Sequence, residues 1–396
     1  MNPAAAPTGR WGEPASVCLR GPKGSGGRLL RSVEEARPRP GLSVPVITAL
    51  DEDGGLREED QRALVRFVVQ DGYGADIVFA AGTTGEWDRV TNDVRQRVIQ
   101  VCSEEVAKCN AGLGRGDRQI EAWAGVTAHT AEETLANLDF AIAHGADAAV
   151  LAPLSIDGVE DPVHFVARDV ADLLDARSRR IPIYLYDNAD IAVDPKVPHI
   201  RTRQVKAMSR HDFVRGIKVS APKKVLGNYT KAAAGFRERG EFGIYVGNAM
   251  LIFDLFGPYP GFWGTVREHW NRRRLRGGLP IGVVAGPGNA LPREWARAWQ
   301  VCRAGDAERM AAARGVAQAF AACCRVPSGK RTIACLKRAL FSLGVIASDA
   351  VAPGTAALTN ADTEVFDAAF LALRERARDE LGELWVSRWH TEGALS

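Results

Sequence analysis

Eight short apolar runs recur between residues 44 and 286, separated by stretches of helical periodicity. They are VPVITAL (44–50), DIVFAA (76–81), QIEAWAGV (119–126), AAVLAP (148–153), IPIYLYD (181–187), VRGIKVS (214–220), FGIYVGN (242–248) and IGVVAG (281–286). Short runs rich in Val, Ile and aromatic residues, apolar on both faces, read as strands covered on both sides. Between them, QRALVRFVVQ (61–70) and AEETLANLDFAIAHG (131–145) carry apolar residues three and four apart. The second begins after Thr130, has Glu133 three residues on and stops at Gly145, which is the pattern of a capped helix. Eight strand–helix units imply a parallel α/β sheet, and the count favours a closed (β/α)8 TIM barrel. An open doubly wound sheet is the alternative, but no GxGxxG follows the first strand.

The barrel is expected over 41–304, followed by a C-terminal helical extension over 305–396, with the chain helical throughout after Pro292. Residues 1–40 are rich in Gly, Pro, Ala and Arg, show no period and lack the apolar core of a secretory signal. A disordered tail outside the fold is expected there, and a start assigned too far upstream would look the same. An insertion at 257–280 carries five arginines and one glutamate, with Trp263 and Trp270 interleaved. Such a stretch can bind nucleic acid. Its place between the seventh helix and the eighth strand puts it on the N-terminal side of the barrel, away from the catalytic end. A loop at an oligomer contact or on a solvated face is therefore expected, not a substrate lid.

Composition bounds the rest. Of the 396 residues, 46% are hydrophobic and 25% charged, which suits a soluble globular enzyme. A net charge of +3 does not argue for nucleic acid or a membrane surface. No run of about 18 apolar residues appears, so no membrane span is expected. The seven cysteines form an odd set without a CxxC, and the seven histidines include no HxxxH pair. That spacing supports neither a disulfide framework nor a zinc site. Free thiols, a reducing cytoplasmic compartment and no metal or cofactor are expected.

Lys218 stands out, because it lies inside the apolar run VRGIKVS. Lysine is rarely buried unless paired or functional, and strands deplete it. Residues at the C-terminal ends of barrel strands line the active site. Those ends also hold GTTGE (82–86), Tyr186 in YLYDN, the VGN at 246–248 and the AGPGN at 285–289. Taken singly, each has an ordinary reading: a capped turn, a packed aromatic, a structural ion-pair partner. Together at one barrel mouth they make a coherent site. A desolvated lysine has a lowered pKa, and its neutral amine attacks a ketone to form a Schiff base. Tyr186 can shuttle the proton, and the turn bearing Gly82, Thr83 and Thr84 can cradle a carboxylate. Those are the requirements of a 2-oxo acid site.

At these residues the sequence resembles the dihydrodipicolinate synthase / N-acetylneuraminate lyase family of class I aldolases. The resemblance runs from about Val44 to the helices near Leu343. It rests on GTTGE, Tyr186, the GIK at 216–218, GVVAGPGNALP (282–292) and the late helix TIACLKRALFSLG (332–344). It implies that Lys218 forms the imine with pyruvate or another 2-oxo acid, that Tyr186 relays protons and that Thr83 and Thr84 hold the carboxylate. It also implies a homodimer or homotetramer of barrels. The sequence departs from the family after the fourth strand, where APLSIDG (152–158) lacks a relay tyrosine and Ser155 is the available hydroxyl. After Tyr186 the stretch DNADIAVD has neither the proline nor the carboxylate-gripping arginine of the lysine-pathway synthase, and the eighth-strand serine is Ala285.

The leading expectation is a Schiff-base lyase, an aldolase or dehydratase, on a 2-oxo acid. Its aldehyde or sugar-acid partner would meet Asp187, Asn188, Ser155, Ser220, Gly247 and Asn248. Asp187 and Asn188 hint at a hydroxylated partner. A silent barrel that binds a 2-oxo acid or a protein stays open as the alternative.

Overall fold

The computed structural model describes residues 37–114, 119–232, 241–257 and 280–388, together with positions 235, 262 and 266. Most of the expected N-terminal tail and nearly all of the 257–280 insertion lie outside the described residues.

The eight apolar runs form eight parallel strands: β1 (Gly41–Pro45), β2 (Ile77–Ala80), β3 (Glu121–Gly125), β4 (Ala148–Leu151), β5 (Ile183–Asn188), β6 (Val214–Ser220), β7 (Gly243–Val246) and β8 (Gly282–Val284). Each pairs with the next in sequence, and β8 closes on β1 in the register Gly41↔Gly282 to Ser43↔Val284. The sheet is thus a closed (β/α)8 barrel.

Helices follow the strands: α1 (Glu58–Val69), α2 (Asn92–Gly112), α3 (Ala131–Ala143), α4 (Pro162–Phe165) leading through a π turn into α5 (Ala171–Asp175), α6 (Thr202–Met208), α7 (Lys223–Ala232), α8 (Ile252–Leu255) and α9 (Pro292–Ala304). The cap of α3 is the one expected, with the Glu133 N–H donating to Thr130 Oγ1 at 3.2 Å and Gly145 in the left-handed region.

The first strand starts and ends earlier than the run at 44–50 suggests. Pro45 is the last residue of the strand; Val46 N–H still bonds β2, and the donors after it turn to side chains. Val46 N–H reaches Phe79 O, Ile47 N–H reaches Asn289 Oδ1, and Ala49 N–H reaches Gln61 Oε1. Asn289 also donates to Pro45 O and Gly286 O, so the AGPGN turn pins the seam where the barrel closes.

An aromatic floor fills the barrel beneath Lys218. The Trp123 and Tyr184 rings stack with centroids 4.0 Å apart, and the Tyr245 ring stands edge-on to both. Glycines on the opposing strands make room for it. A Cβ on Gly216 would lie 2.8 Å from the Tyr184 ring, and one on Gly282 would lie 2.5 Å from the Tyr245 ring. The glycine of GIK is therefore a packing requirement of the floor.

Beyond α9 the chain is not helical throughout. Helix α10 (Ala307–Cys323) gives way to a hairpin of β9 (Arg325–Val326) and β10 (Gly329–Lys330), then to α11 (Thr332–Ser342). Residues 343–359 are irregular before α12 (Asn360–Leu381), because Gly344, Pro353 and Gly354 break the helical pattern. This irregular segment returns to the mouth of its own barrel. Ala347 N–H donates to Asp60, Ala352 N–H donates to Glu86, and Arg89 reaches Thr355 Oγ1 at 2.7 Å.

Candidate active site

Alternation along β5 and β6 turns Tyr184, Tyr186 and Lys218 into the barrel, with Tyr186 opposite Lys218 in the register. Lys218 is 5% exposed, and its Nζ lies 3.7 Å from the centroid of the Tyr186 ring and 4.8 Å from that of Phe79. Burial pushes the Lys218 amine below the ordinary lysine range, against the opposing pull of Tyr186. Burial alone would raise the Tyr186 phenol, but the Lys218 charge and hydrogen bonds with Ser220, Thr83 and Lys218 outweigh it, and its net shift is downward. The two shifts work in concert. A less basic amine beside a more acidic phenol is suited to passing a proton.

The hydroxyls of Thr83 and Tyr186 are 3.3 Å apart, and the Asn188 amide donates to the Tyr186 oxygen at 3.1 Å. Thr83–Gly85 form one 3₁₀ turn between two non-glycine residues in the left-handed region, Ala81 (φ 53°) and Glu86 (φ 59°). Strain of this kind persists where the surroundings fix it. Thr48 Oγ1 donates to Gly85 O at 2.7 Å, and a Cβ on Gly85 would lie 3.0 Å from Val46 O. At the head of such a turn the N–H groups of Thr83 and Thr84 have no partner inside it. Thr84 faces the eighth strand end, where a Cβ on Gly286 would be 3.5 Å from its hydroxyl.

Ser220 is drawn to Tyr186, and Gly247 permits it, since a Cβ there would fall 2.1 Å from Ser220 Oγ. The remaining residues expected to meet a partner substrate are placed differently. Asp187 sits on the outer face of β5, where Ile200 N–H donates to Oδ1 at 2.9 Å and His199 Nδ1 lies 3.1 Å from Oδ2. Period-two alternation forces this, because Tyr186 points inward. Asn248 is exposed, and Ser155 is buried in the 3₁₀ turn Pro153–Ser155, outside the lining of the cleft.

Two residues of the site escape the sequence reading. Glu86, the last residue of GTTGE, is fully buried and paired with Lys337 of α11 at 2.6 Å. Trp87 follows it and lines the cleft above Tyr186 with Phe79, Thr127, Val150 and Ile191. A lysine within the apolar late helix and a tryptophan abutting the motif were the available signals.

Among the described residues, no group of three His, Cys, Asp or Glu side chains could hold a metal ion, and no helix is long and apolar enough to cross a membrane.

Fold and site together define a TIM barrel with a buried lysine beside a tyrosine and a threonine turn. Residues 39–154 match the sequence model of the dihydrodipicolinate synthetase family. A DapA-like lyase of Halobacterium salinarum is 30% identical over 149 residues, 37% of this chain and 43% of that protein. The 4-hydroxy-tetrahydrodipicolinate synthase of Chloroherpeton thalassium is 35% identical over 83 residues, 21% of this chain and 27% of that one. The aligned stretches thus span less than half the length of these two relatives. The dihydrodipicolinate synthase structure from Bacteroides thetaiotaomicron superposes with a TM-score of 0.67 at 19% identity, covering 85% of this chain and 99% of that one. YagE of E. coli K12, described as a family member in complex with pyruvate, superposes at 0.64 with 17% identity, covering 84% and 98%. The chain is thus similar in sequence to the dihydrodipicolinate synthetase family over residues 39–154, and in fold to the synthase from Bacteroides thetaiotaomicron over 85% of its length.

Proposed function

We propose that this chain is a Schiff-base-forming lyase, an aldolase or related dehydratase, acting on pyruvate or another 2-oxo acid. The observation that carries the reading is the buried Lys218 amine lying 3.7 Å from the ring centroid of Tyr186, whose hydroxyl is 3.3 Å from that of Thr83. The neutral amine adds to the ketone carbon, takes one proton from solvent and loses water, giving a protonated imine. The Tyr186 oxygen takes a proton from the adjacent carbon and leaves an enamine. That carbon attacks an aldehyde carbonyl, a carbon–carbon bond forms, and the aldehyde oxygen takes the proton from Tyr186. Water then cleaves the imine, one proton returns to solvent, and the lysine and a 4-hydroxy-2-oxo acid are freed. The reverse sequence is aldol cleavage, and loss of the hydroxyl as water is the dehydratase outcome. Thr83 and Thr84 hold the carboxylate throughout.

Pyruvate is the first ligand to try, since YagE and an Acinetobacter baumannii synthase of the same fold are both described in complex with it. A homodimer or homotetramer working in the cytoplasm belongs to the same proposal, as does a barrel domain over 41–304. The test is borohydride reduction in the presence of pyruvate, followed by peptide mass analysis. A pyruvate-derived mass on the Lys218 peptide, absent from Lys218→Ala, is the expected result. No adduct with pyruvate or any longer 2-oxo acid would overturn the reading in favour of a barrel that binds without catalysing.

A further inference from the structure

We propose that Trp87 and Ile191 select an uncharged, apolar aldehyde as the second reactant at Lys218; this inference rests on the Schiff-base reading above. Trp87 is 5% exposed and forms one wall of the cleft above Tyr186. Ile191 ends the 3₁₀ turn Ala189–Ile191, lines the same cleft and packs against the interior cluster that contains Tyr186 and Val150. With Phe79 and Val150 they make the lining mostly aromatic and aliphatic, its polar side chains being Thr83, Thr127 and Tyr186.

The polar groups at the mouth bond one another or, in the Schiff-base reading, the carboxylate of the 2-oxo acid. The Asn188 amide donates to Tyr186, and its carbonyl oxygen accepts the Asp190 N–H at 3.2 Å. The Thr83 hydroxyl lies 3.3 Å from that of Tyr186, and Thr127 Oγ1 accepts the Ala152 N–H at 2.9 Å. Asp187 faces away, held by Ile200 and His199. A polyhydroxylated aldehyde would leave its hydroxyls without partners on entering.

Charge leads to the same conclusion. The Lys218 nitrogen is uncharged in the enamine that meets the aldehyde. Arg95 of α2 is buried nearby, but its guanidinium carbon lies 5.6 Å from the Trp87 ring, its Nη1 donates to Thr127 O, and it does not line the cleft. The indole thus keeps a carboxylated aldehyde from a cation that could hold it. Trimming Trp87 would bring Arg95 within reach of the cleft and remove the apolar wall.

The full-length chain would be assayed with pyruvate and, in turn, butanal, benzaldehyde, glyceraldehyde and succinic semialdehyde. The expected kcat/KM for butanal or benzaldehyde exceeds that for the other two by about tenfold or more. Trp87→Ala should lower this ratio by about tenfold. Ile191→Ala, on a half-buried turn, should move it the same way and serves if Trp87→Ala fails to fold. Equal or better turnover of glyceraldehyde or succinic semialdehyde overturns the proposal. So does a ratio unmoved in folded variants, or a chain that traps pyruvate but consumes none of the four aldehydes. Failure to trap any 2-oxo acid overturns the parent reading as well, and the trapping assay tells the two failures apart.

Discussion

Lys337 Nζ lies 2.6 Å from Glu86 Oε2, and both side chains are fully buried. The pair joins α11, in the chain beyond the barrel strands, to the last residue of the GTTGE turn. Lys337 also donates to Ala350 O, and Glu86 Oε1 accepts the Ala352 N–H, so the irregular segment 343–359 is fastened to the same point. Glu86 is held in the left-handed region, a conformation it needs help to keep. Removing one partner of a buried pair leaves the other charge uncompensated, which costs about 3–5 kcal/mol. Lys337→Met should lower unfolding stability by that order and raise the KM for a 2-oxo acid more than it lowers kcat. Denaturant unfolding and steady-state kinetics check both. The double variant Lys337→Met with Glu86→Gln should recover much of the stability, because neither charge is then stranded.

Lys218 is the opposite case, a buried amine with an aromatic neighbour and no carboxylate among its described contacts. Burial lowers its pKa below the 10.5 of a free lysine. Between the folded and unfolded values, the unfolded chain binds the proton and the folded chain does not. Its contribution to stability therefore rises with pH through that window and levels off above 10.5. Lys218→Met should abolish imine trapping while raising stability near neutral pH by about 1–2 kcal/mol, the usual exchange between an active site and its fold. The variant should also lose the pH-dependent rise. Unfolding curves at a series of pH values from neutral up to 10.5 decide the matter. Equal or lower stability of the variant at pH 7 would refute a desolvated amine.

Tyr186→Phe keeps the ring under Lys218 and removes the hydroxyl shared by Thr83 and Asn188. Loss of a positioned acid–base group lowers the rate by about 10²–10⁴-fold. The expected outcome is imine trapping that persists with pyruvate, while aldol turnover falls within that range. Equal loss of both would assign Tyr186 to imine formation and not to the carbon–carbon step.

Much of the barrel was legible because its signals are local. The run VRGIKVS becomes β6 residue for residue, and a lysine among Val and Ile marks the inward row of that strand. The same alternation places Asp187 opposite to Tyr186, on the outer face, so its role as a hydrogen-bond hub for Ile200 and His199 follows from a rule already in use. Asn188 has the right face but spends its amide on the tyrosine. The pairing of Glu86 with Lys337 was not legible, since no periodicity relates residues so far apart in the chain. Nor was the exit of β1 at Pro45, where Asn289 and Gln61 take over from the ladder, because side-chain acceptors carry no local pattern.

Gly216 supplies the last prediction. An added Cβ would sit 2.4 Å from the Gly243 carbonyl oxygen and 2.8 Å from the Tyr184 ring. A backbone oxygen of a neighbouring barrel strand cannot rotate away as a flexible side chain can, so β6 or β7 must shift. Overpacking of this kind costs about 1–3 kcal/mol. Displacement of Tyr184 would also disturb its stacking on Trp123, the floor on which the Lys218 layer rests. Gly216→Ala should therefore lose stability by that amount and slow pyruvate trapping, although the substituted residue touches no substrate. Gly112, the last residue of α2, is the control, since a Cβ there meets nothing within 4 Å. Gly112→Ala should be neutral or stabilise by about 0.4–1 kcal/mol through the unfolded chain. Urea unfolding of both variants makes the comparison, and a Gly216→Ala protein as stable as Gly112→Ala would show that the floor has slack the packing does not reveal.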